Sequence, residues 1–439
     1  MAKYYAVIGN RDYIKYRGEK RPYWEFLDFQ PDGYLSSIVY ARKDCPNLPM
    51  IWDCGAWSYK DRDVPQLGKH ILNPGWALHL YNEFAKPGDI VIAPDHLLID
   101  GVDLKNRREI NINYADWFLQ LHKLWMCQYK PMAVIHGMDL GERIRNAGYL
   151  ANLGYKYLAI GGVAARAAQK KIVIEIVKEI RNFLPDVWLH VLGLSSPDYT
   201  KMWNDLGIDS FDGSSHFKQA FTGGAFFTIE NGKLKKWQTA RPGEEITAPE
   251  CGCLSCEKMR EEGIDTRSYG SNENNMGRAA HNQNMLMKAQ NIAIHGTTVL
   301  VSCVGKKATE KRPAKNLYQS DWFKKARKYA EQNGDRWFIL SALHGLLEPD
   351  HHIYPYEKTL NKMSIHERGQ WSQMAWDQIR QTIPKGRIIF LAGEKYRFPL
   401  SIILEGAGYL VETPLKGMGI GEQLAWLKSR IRGDQLCLV

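Results

Sequence analysis

The chain has 439 residues, of which 44% are hydrophobic and 24% charged. That balance excludes an intrinsically disordered chain, and no apolar run reaches the ~18–20 residues that a membrane-spanning helix needs. Its formal charge is +10, from 58 Lys and Arg against 48 Asp and Glu.

At roughly 100–200 residues per domain, the length predicts two or three domains. The N-terminus, MAKYYAVIGNRDY, reads as a buried strand from its fourth residue rather than as a signal peptide, so the expected location is the cytoplasm. The charge is uneven. Residues 293–439 hold 22 basic and 14 acidic residues, or +8; the remainder holds 36 and 34, or +2. The excess points to a polyanionic partner met mainly by the last third.

The first two hundred residues repeat one theme. Apolar runs at Tyr4–Ile8, Met50–Asp53, Ile90–Asp95, Met132–His136, Tyr157–Gly162, Val187–Gly193 and Ile208–Asp212 read as strands. Between them, Trp76–Phe84, Tyr114–Trp125, Gly141–Leu153, Ala165–Leu184 and Asp198–Leu206 space their apolar residues as helices do. Alternating strands and helices imply parallel strands joined by crossovers. Seven or eight such units predict a closed (β/α)8 barrel of the TIM type.

The polar residues agree with this. Asp53, Asp95, His136, Gly161, Gly162, Gly193 and Asp212 all fall where a strand ends. In a barrel those ends converge on the face that builds the active site. Asp and Gly are also ordinary turn residues, which explains any one position but not four titratable groups in one register.

Beyond Asp212, the stretch FFTIENGKLKKW predicts a hairpin turning at Glu230–Gly232. Three cysteines follow within six residues, Cys251, Cys253 and Cys256. A polar loop over Gly270–Gly277 then precedes a predicted helix over Arg278–Ile292, with His281 on its first turn. At Thr297 the alternation restarts. It opens with the stretch TTVLVSCVGKK; strands are predicted at Trp337–Leu340 and Arg387–Ala392, helices at Asp321–Gln332 and Ile365–Thr382, and a final amphipathic stretch at Leu424–Ile431. The reading is a barrel over 1–294, with a metal-binding subdomain at about 245–292, then a smaller Rossmann-like α/β domain over 295–439.

The metal signal is the most specific. Cys251-x-Cys253-x2-Cys256, with His281 25 positions on, offers three thiolates and an imidazole. Zinc takes four such ligands in a tetrahedron, and four protein ligands leave no open position, so a structural Zn2+ is expected. The compact spacing and the histidine disfavour an iron–sulfur cluster. Asp53 and Asp212 form the second signal. Two carboxylates on one face can divide displacement at an anomeric carbon, one as nucleophile and one as proton carrier.

The motifs IWDCGAW, VIAPD, AVIHG, LAIGGVA, HVLGLSSPD and DSFDGSS, followed by the cysteine cluster and histidine, occur in an order and spacing that resemble the tRNA-guanine transglycosylases. The resemblance covers about residues 45–290. It implies exchange of guanine for a 7-deazaguanine base through a covalent enzyme–nucleic acid intermediate. By that resemblance Asp212 is the nucleophile and Asp53 the proton-transferring, base-contacting carboxylate. Trp57 would stack on the base and Asp95 would hydrogen-bond the guanine edge. Gly161 and Gly162 would lay backbone against the base, and Leu192 would close its other side. A purine needs flat surfaces above and below and an acceptor for its N1–H and amine.

The chain also departs from that pattern. His136 stands where the family usually has Gln, and Gly213–Gln219 lacks the Thr-Arg residues that help read an anticodon loop. A second α/β domain is added. These features are similar to the DNA-modifying branch, the DpdA-type DNA-guanine transglycosylases of phages and bacterial islands, which makes DNA the expected partner and a base such as 7-cyano-7-deazaguanine the incoming substrate. The barrel motifs allow tRNA equally, and a non-catalytic nucleic-acid-binding protein is the third reading. The last domain, with SCVGKK, LYQSDWFKKAR, ILSALHGLLEP and YPYEKTL, resembles a small family of unknown function distantly like the YaaA proteins. Three readings stand there: a second site around Cys303, Lys306, Lys307, His344 and Tyr356; a phosphate grip by Lys306–Lys315 and Lys324–Lys328; or an inert core thiol beside a solvated lysine face.

Overall fold

The computed structural model describes residues 1–42, 44–99 and 101–431. Contacts divide the chain into two units, 1–228 with 235–287, and 229–234 with 288–439. No helix among the described residues is long and apolar enough to cross a membrane.

Eight parallel strands close the first unit into a barrel. They are β1 (Lys3–Ile8), β2 (Gly33–Ser37), β3 (Met50–Asp53), β4 (Ile90–Ile92), β5 (Lys130–Ile135), β6 (Tyr157–Ile160), β7 (Trp188–Val191) and β8 (Ser210–Gly213). Each pairs with its sequence neighbour, and β8 closes the ring on β1 with Asp212 opposite Tyr5. Successive side chains of a strand point to opposite faces, so alternate residues fill the interior. Tyr5, Leu35, Ile51, Ile92, Met132, Val134 and Ala159 form that packed core. One step further up the inward rows stand Asp53 above Ile51, His136 above Val134, and Leu192 above His190 and Trp188.

The later crossovers are helical: α1 (Pro74–Phe84), α2 (Leu104–Leu124), α3 (Leu140–Leu153), α4 (Lys170–Phe183) and α5 (Pro197–Asp205). Several begin on side-chain caps, with Asn73, Asp103 and Asp139 accepting from the backbone N–H groups of Trp76, Asn106 and Glu142. Alternation of strand and helix does not hold throughout. Among the described residues the first two crossovers carry no α-helix, only a small hairpin (Tyr13–Tyr16 with Glu19–Pro22) and 3-10 turns. Strand β2 was not expected from its sequence, GYLSS, which has no β-branched residue. It is almost wholly buried all the same.

After β8 come α6 (Ser215–Phe221), a hairpin of β9 (Ala225–Glu230) and β10 (Lys233–Gln238), α7 (Leu254–Glu261) and α8 (Asn272–His295). The predicted polar loop at Gly270–Gly277 is mostly helix. Ser271 accepts from Asn274 N through Oγ and from Asn275 N through its carbonyl, which starts α8 at Asn272. His281 therefore lies on the third turn, not the first. The polar composition of these early turns concealed them.

The second unit is a five-stranded sheet in the order β13–β12–β11–β14–β15. Here β11 is Thr297–Ser302, β12 Arg336–Ser341, β13 Gly345–Leu347, β14 Arg387–Leu391 and β15 Leu410–Glu412. All pairings are parallel except β12 with β13. Helices α9 (Asp321–Asn333) and α12 (Ile420–Arg430) bury Phe323, Ala326 and Leu427 in one core. Helices α10 (Ile365–Thr382) and α11 (Glu394–Gly406) bury Trp371, Ile379 and Leu404 in the other. A sheet covered on both faces is the doubly wound arrangement expected. Helix α11 was missed because Pro399 interrupts its pattern.

Gly33, beside β1, is a tight point of the barrel wall. A Cβ there would stand 2.4 Å from Tyr5 Cε1 and 2.5 Å from the Pro49 carbonyl oxygen. Gly33→Ala is expected to cost ~1–3 kcal/mol by overpacking, read as a lowered denaturant midpoint with an unchanged slope.

Candidate active site and metal centre

Every strand-end residue expected at the site lies at the carboxyl end of the barrel. Asp53 is the last residue of β3 and Asp212 the third of four in β8. His136, Gly161 and Gly162 directly follow β5 and β6, and Asp95 comes three residues after β4.

Asp212 is 5% exposed. Its Oδ1 accepts from the Gly193 backbone N–H at 2.8 Å and lies 3.1 Å from His190 Nε2. His190 Nδ1 lies 2.6 Å from Ser210 Oγ, and the ring is fully buried, stacked on Trp188 and edge-on to Tyr5. With the Ser210 hydroxyl donating to Nδ1, Nε2 carries the proton and donates to Asp212. Both donors hold Oδ1. Among the described residues these two donors both meet Oδ1 and not Oδ2, which keeps its lone pairs for another atom. Sequence reasoning missed His190. The signal lay in the period of β7, where Trp188, His190 and Leu192 alternate inward and a polar ring interrupts an apolar row.

Asp95 is bound on both oxygens. Oδ1 accepts from the Cys54 thiol at 2.9 Å, and Oδ2 lies 2.6 Å from His136 Nε2. Tyr59 donates to Cys54 Sγ at 3.2 Å and to the Asp95 carbonyl at 3.0 Å. Burial, with Asp95 and Asp53 alongside, pushes the Cys54 thiol well above its usual range, so it stays a donor. Asp53 accepts from Gly55 N at 2.8 Å. Burial first, then the negative charges of Asp95 and Asp212, push its carboxyl from 3.8 up to about 7, against the opposing Gly55 hydrogen bond. The three aspartates thus share one electrostatic field.

The expected base-binding surfaces occupy the same end. Trp57 rides the 3-10 turn Ala56–Tyr59 just beyond Asp53 and is 72% exposed, with Lys60 Nζ 5.5 Å from its ring centre. Gly161 admits no side chain: a Cβ would lie 2.6 Å from Val134 Cγ1. Gly162 adopts a φ of +70°. Arg143 Nη1 donates to the Gly161 carbonyl at 2.7 Å and fixes that backbone. Leu192 is half-buried against the barrel core. A cavity of about 600 Å3 also opens at the end of β1, lined by Val7, Tyr40 and Phe217 among others, and none of the three aspartates lines it.

The ligand atoms of Cys251, Cys253, Cys256 and His281 all lie within 4.8 Å of one another. His281 Nδ1 faces Cys253 Sγ at 3.3 Å and Cys256 Sγ at 3.4 Å. Its Nε2 lies 2.6 Å from the Phe227 carbonyl, and Phe226 stacks on the ring at 3.8 Å. The outward nitrogen is therefore protonated and the inward one free to bind metal. Asn282 secures the same helix to the hairpin, accepting from Phe227 N and donating to the Ala225 carbonyl. Three thiolates and one oriented imidazole fit a four-coordinate metal ion.

A parallel eight-stranded barrel with an acidic mouth, backed by a closed Cys3His centre, defines a narrow class of protein. The model of the queuine tRNA-ribosyltransferase family matches residues 70–291, half of the chain, and the chain belongs to that family. A family of unknown function (DUF6884) matches residues 298–429. Among curated proteins, the chain is 28% identical over 191 residues to a DNA-guanine transglycosylase of Salmonella montevideo, across 40% of this chain and 42% of that protein. The match thus spans about two fifths of that relative's length. It is also 29% identical over 146 residues to the uncharacterized protein YfjM of Bacillus subtilis (strain 168), across 30% of this chain and 93% of that protein.

Asp53 holds its proton more tightly folded than unfolded. Its contribution to stability is complete below pH 3.8 and is lost as pH rises through about 7. Asp53→Asn is therefore expected to raise the melting temperature at pH 8 by ~2–4 °C, about 1 kcal/mol, and to change it little at pH 4, as scanning calorimetry at the two pH values would register.

Proposed function

We propose that the chain exchanges guanine in DNA for a 7-deazaguanine, such as 7-cyano-7-deazaguanine, by two displacements at one sugar carbon. The observation that carries this is the asymmetry of Asp212, with Oδ1 held by two donors and Oδ2 left for a reacting atom.

The target guanine must first leave the helix, at a cost of a few kcal/mol. Trp57 offers it an aromatic face, and the Gly161–Gly162 backbone with Leu192 the opposing surface. The Asp95–His136 pair reads its edge. A base N–H takes the place of the Cys54 thiol on Asp95, and a thiol is a weak donor to displace. Asp212 Oδ2 then attacks C1′, the C1′–N9 bond breaks, and guanine leaves as its nitrogen takes the proton from Asp53. An Asp212–deoxyribose ester remains. The incoming deazapurine gives its N9 proton to Asp53, attacks C1′ and expels the Asp212 carboxylate. Two inversions restore the β configuration, and nothing is oxidised or reduced. His190 is a positioning residue that keeps Oδ1 engaged and so selects Oδ2.

Two features favour DNA over tRNA. The Salmonella relative is named for DNA, and the segment after the nucleophile, GSSHFKQ, lacks the Thr-Arg residues of the tRNA-reading pattern. Deoxyribose also lacks the electron-withdrawing 2′-OH, which eases departure of the base and asks for no hydroxyl contact. The metal that best fits the Cys3His set is Zn2+, bound as a structural ion. With four protein ligands it would hold α7 and α8 together and take no part in bond exchange.

Labelled-base exchange run side by side on plasmid DNA and bulk tRNA tests the reading. DNA is expected to take up label and tRNA not; incorporation confined to tRNA would reassign the substrate. Asp212→Asn should abolish exchange, by at least ~1,000-fold. His190→Phe should lower kcat by roughly 10–100-fold with little change in KM. Guanine release in a single turnover should decline as pH rises through about 7, where Asp53 loses its proton, and Asp53→Asn should remove that titration. Elemental analysis should find one zinc per chain. Cys253→Ser should lose it, with a melting temperature lowered by several degrees.

A further inference from the structure

We propose that the second unit grips the phosphate backbone of a nucleic acid in a cationic groove beside α9. The inference rests on the nucleic-acid substrate proposed above but concerns a different surface.

A cavity of about 720 Å3 lies between α9 and the loop that precedes it. Arg312, Lys315, Lys324, Arg327 and Lys328 line it, against a single acid, Glu331. Five like charges around one concavity repel each other and focus a positive potential into it. The sequence of α9 sets this up. Trp322, Phe323, Ala326, Tyr329 and Ala330 are buried, which turns Lys324 and Lys328 to the other side at a spacing of four.

The groove is held in shape. Arg327 Nη1 donates to the Lys315 carbonyl at 2.9 Å and to Asn316 Oδ1 at 2.7 Å, and its Nε binds Glu331 at 2.7 Å. This arginine fastens the loop to the helix and accounts for the one acid. Behind them Tyr318, 1% exposed, meets the Tyr356 hydroxyl at 2.9 Å, and that hydroxyl meets Ser341 Oγ at 2.8 Å at the end of β12. Among the described residues the Lys324 ammonium forms no ion pair. Lys315 is paired with Asp350, whose side chain is 77% exposed. Such a surface pair is worth little and yields readily to a phosphate.

The chemistry favours a phosphodiester chain over a lipid surface. The rest of the lining is amide, Asn316, Gln319 and Gln332, and Arg, Lys, Asn and Gln are the side chains that contact phosphate and sugar. A membrane needs exposed apolar side chains beside the charges, and none of the large exposed hydrophobic residues lines the groove. The surrounding segment, 293–439, carries +8.

The test uses the full chain and measures binding to a labelled DNA duplex, to bulk tRNA and to phosphatidylserine vesicles as salt is raised from about 50 to 200 mM. Lys324→Glu/Lys328→Glu is expected to weaken nucleic-acid binding by about 10-fold or more and to flatten the log–log salt slope by about 2. Lys324→Gln/Lys328→Gln should show a smaller loss with the same direction. Lys362→Glu/Lys385→Glu, matched in charge and away from the groove, should change neither affinity nor slope, and melting curves report whether each variant is folded. Unchanged binding in the groove variants, an equal loss in the matched control, or loss of vesicle binding alone would overturn the proposal. If the unaltered chain binds neither nucleic acid, the proposed function falls as well. If it binds and the groove variants bind equally, only the groove does.

Discussion

Three carboxylates crowded at one end of a barrel repel each other, and the rest of the first unit is arranged around that repulsion. Asp95 is engaged on both oxygens, by His136 and by the Cys54 thiol. Asp212 is held by a backbone N–H and a buried imidazole. Asp53 has backbone donors, Gly55 N and Cys54 N, and it is the carboxyl driven up to about 7. Three identical side chains are therefore set apart by their surroundings, and the proposed roles of edge clamp, nucleophile and proton carrier follow those differences. The barrel register makes this possible, because it brings the upper end of each inward row to one level.

The closed barrel and its chemical end were legible in the sequence because strand-terminal Asp, His and Gly recur in one register, from Asp53 to Asp212. The cysteine spacing announced the Cys3His cluster equally well. His190 was not legible. It lies inside a strand, where an imidazole looks like any core ring until its partners Ser210 and Asp212 are brought beside it from 20 and 22 residues away. Strand β2 escaped for a related reason: its burial comes from neighbouring strands, not from its own residues. The start of α8 escaped because its first residues, Asn272, Glu273, Asn274 and Asn275, are all polar and share no apolar period with the helix they belong to.

Under the two proposals, the units divide the labour of recognising a polymer. The barrel mouth then meets a single base through surfaces and hydrogen-bond geometry, which are selective but small. The second unit offers charge, which is unselective but reaches further. A base exchanger working on long DNA gains from this separation, since loose holding raises the local concentration of target bases without slowing release of the product.

The seam between β1 and β8 has a consequence for how the protein is made. Tyr4 bonds to the carbonyl of Gly213, 209 positions away, and β1 is the strand on which the strand bearing Asp212 rests. Strand β1 must therefore wait, unpaired on one edge, until the eighth strand has been synthesised. Until that late docking, the strand bearing Asp212 has not joined the barrel. Under the proposed function, chemistry is withheld from every incomplete product, and the cost is a long-range closure that slows folding.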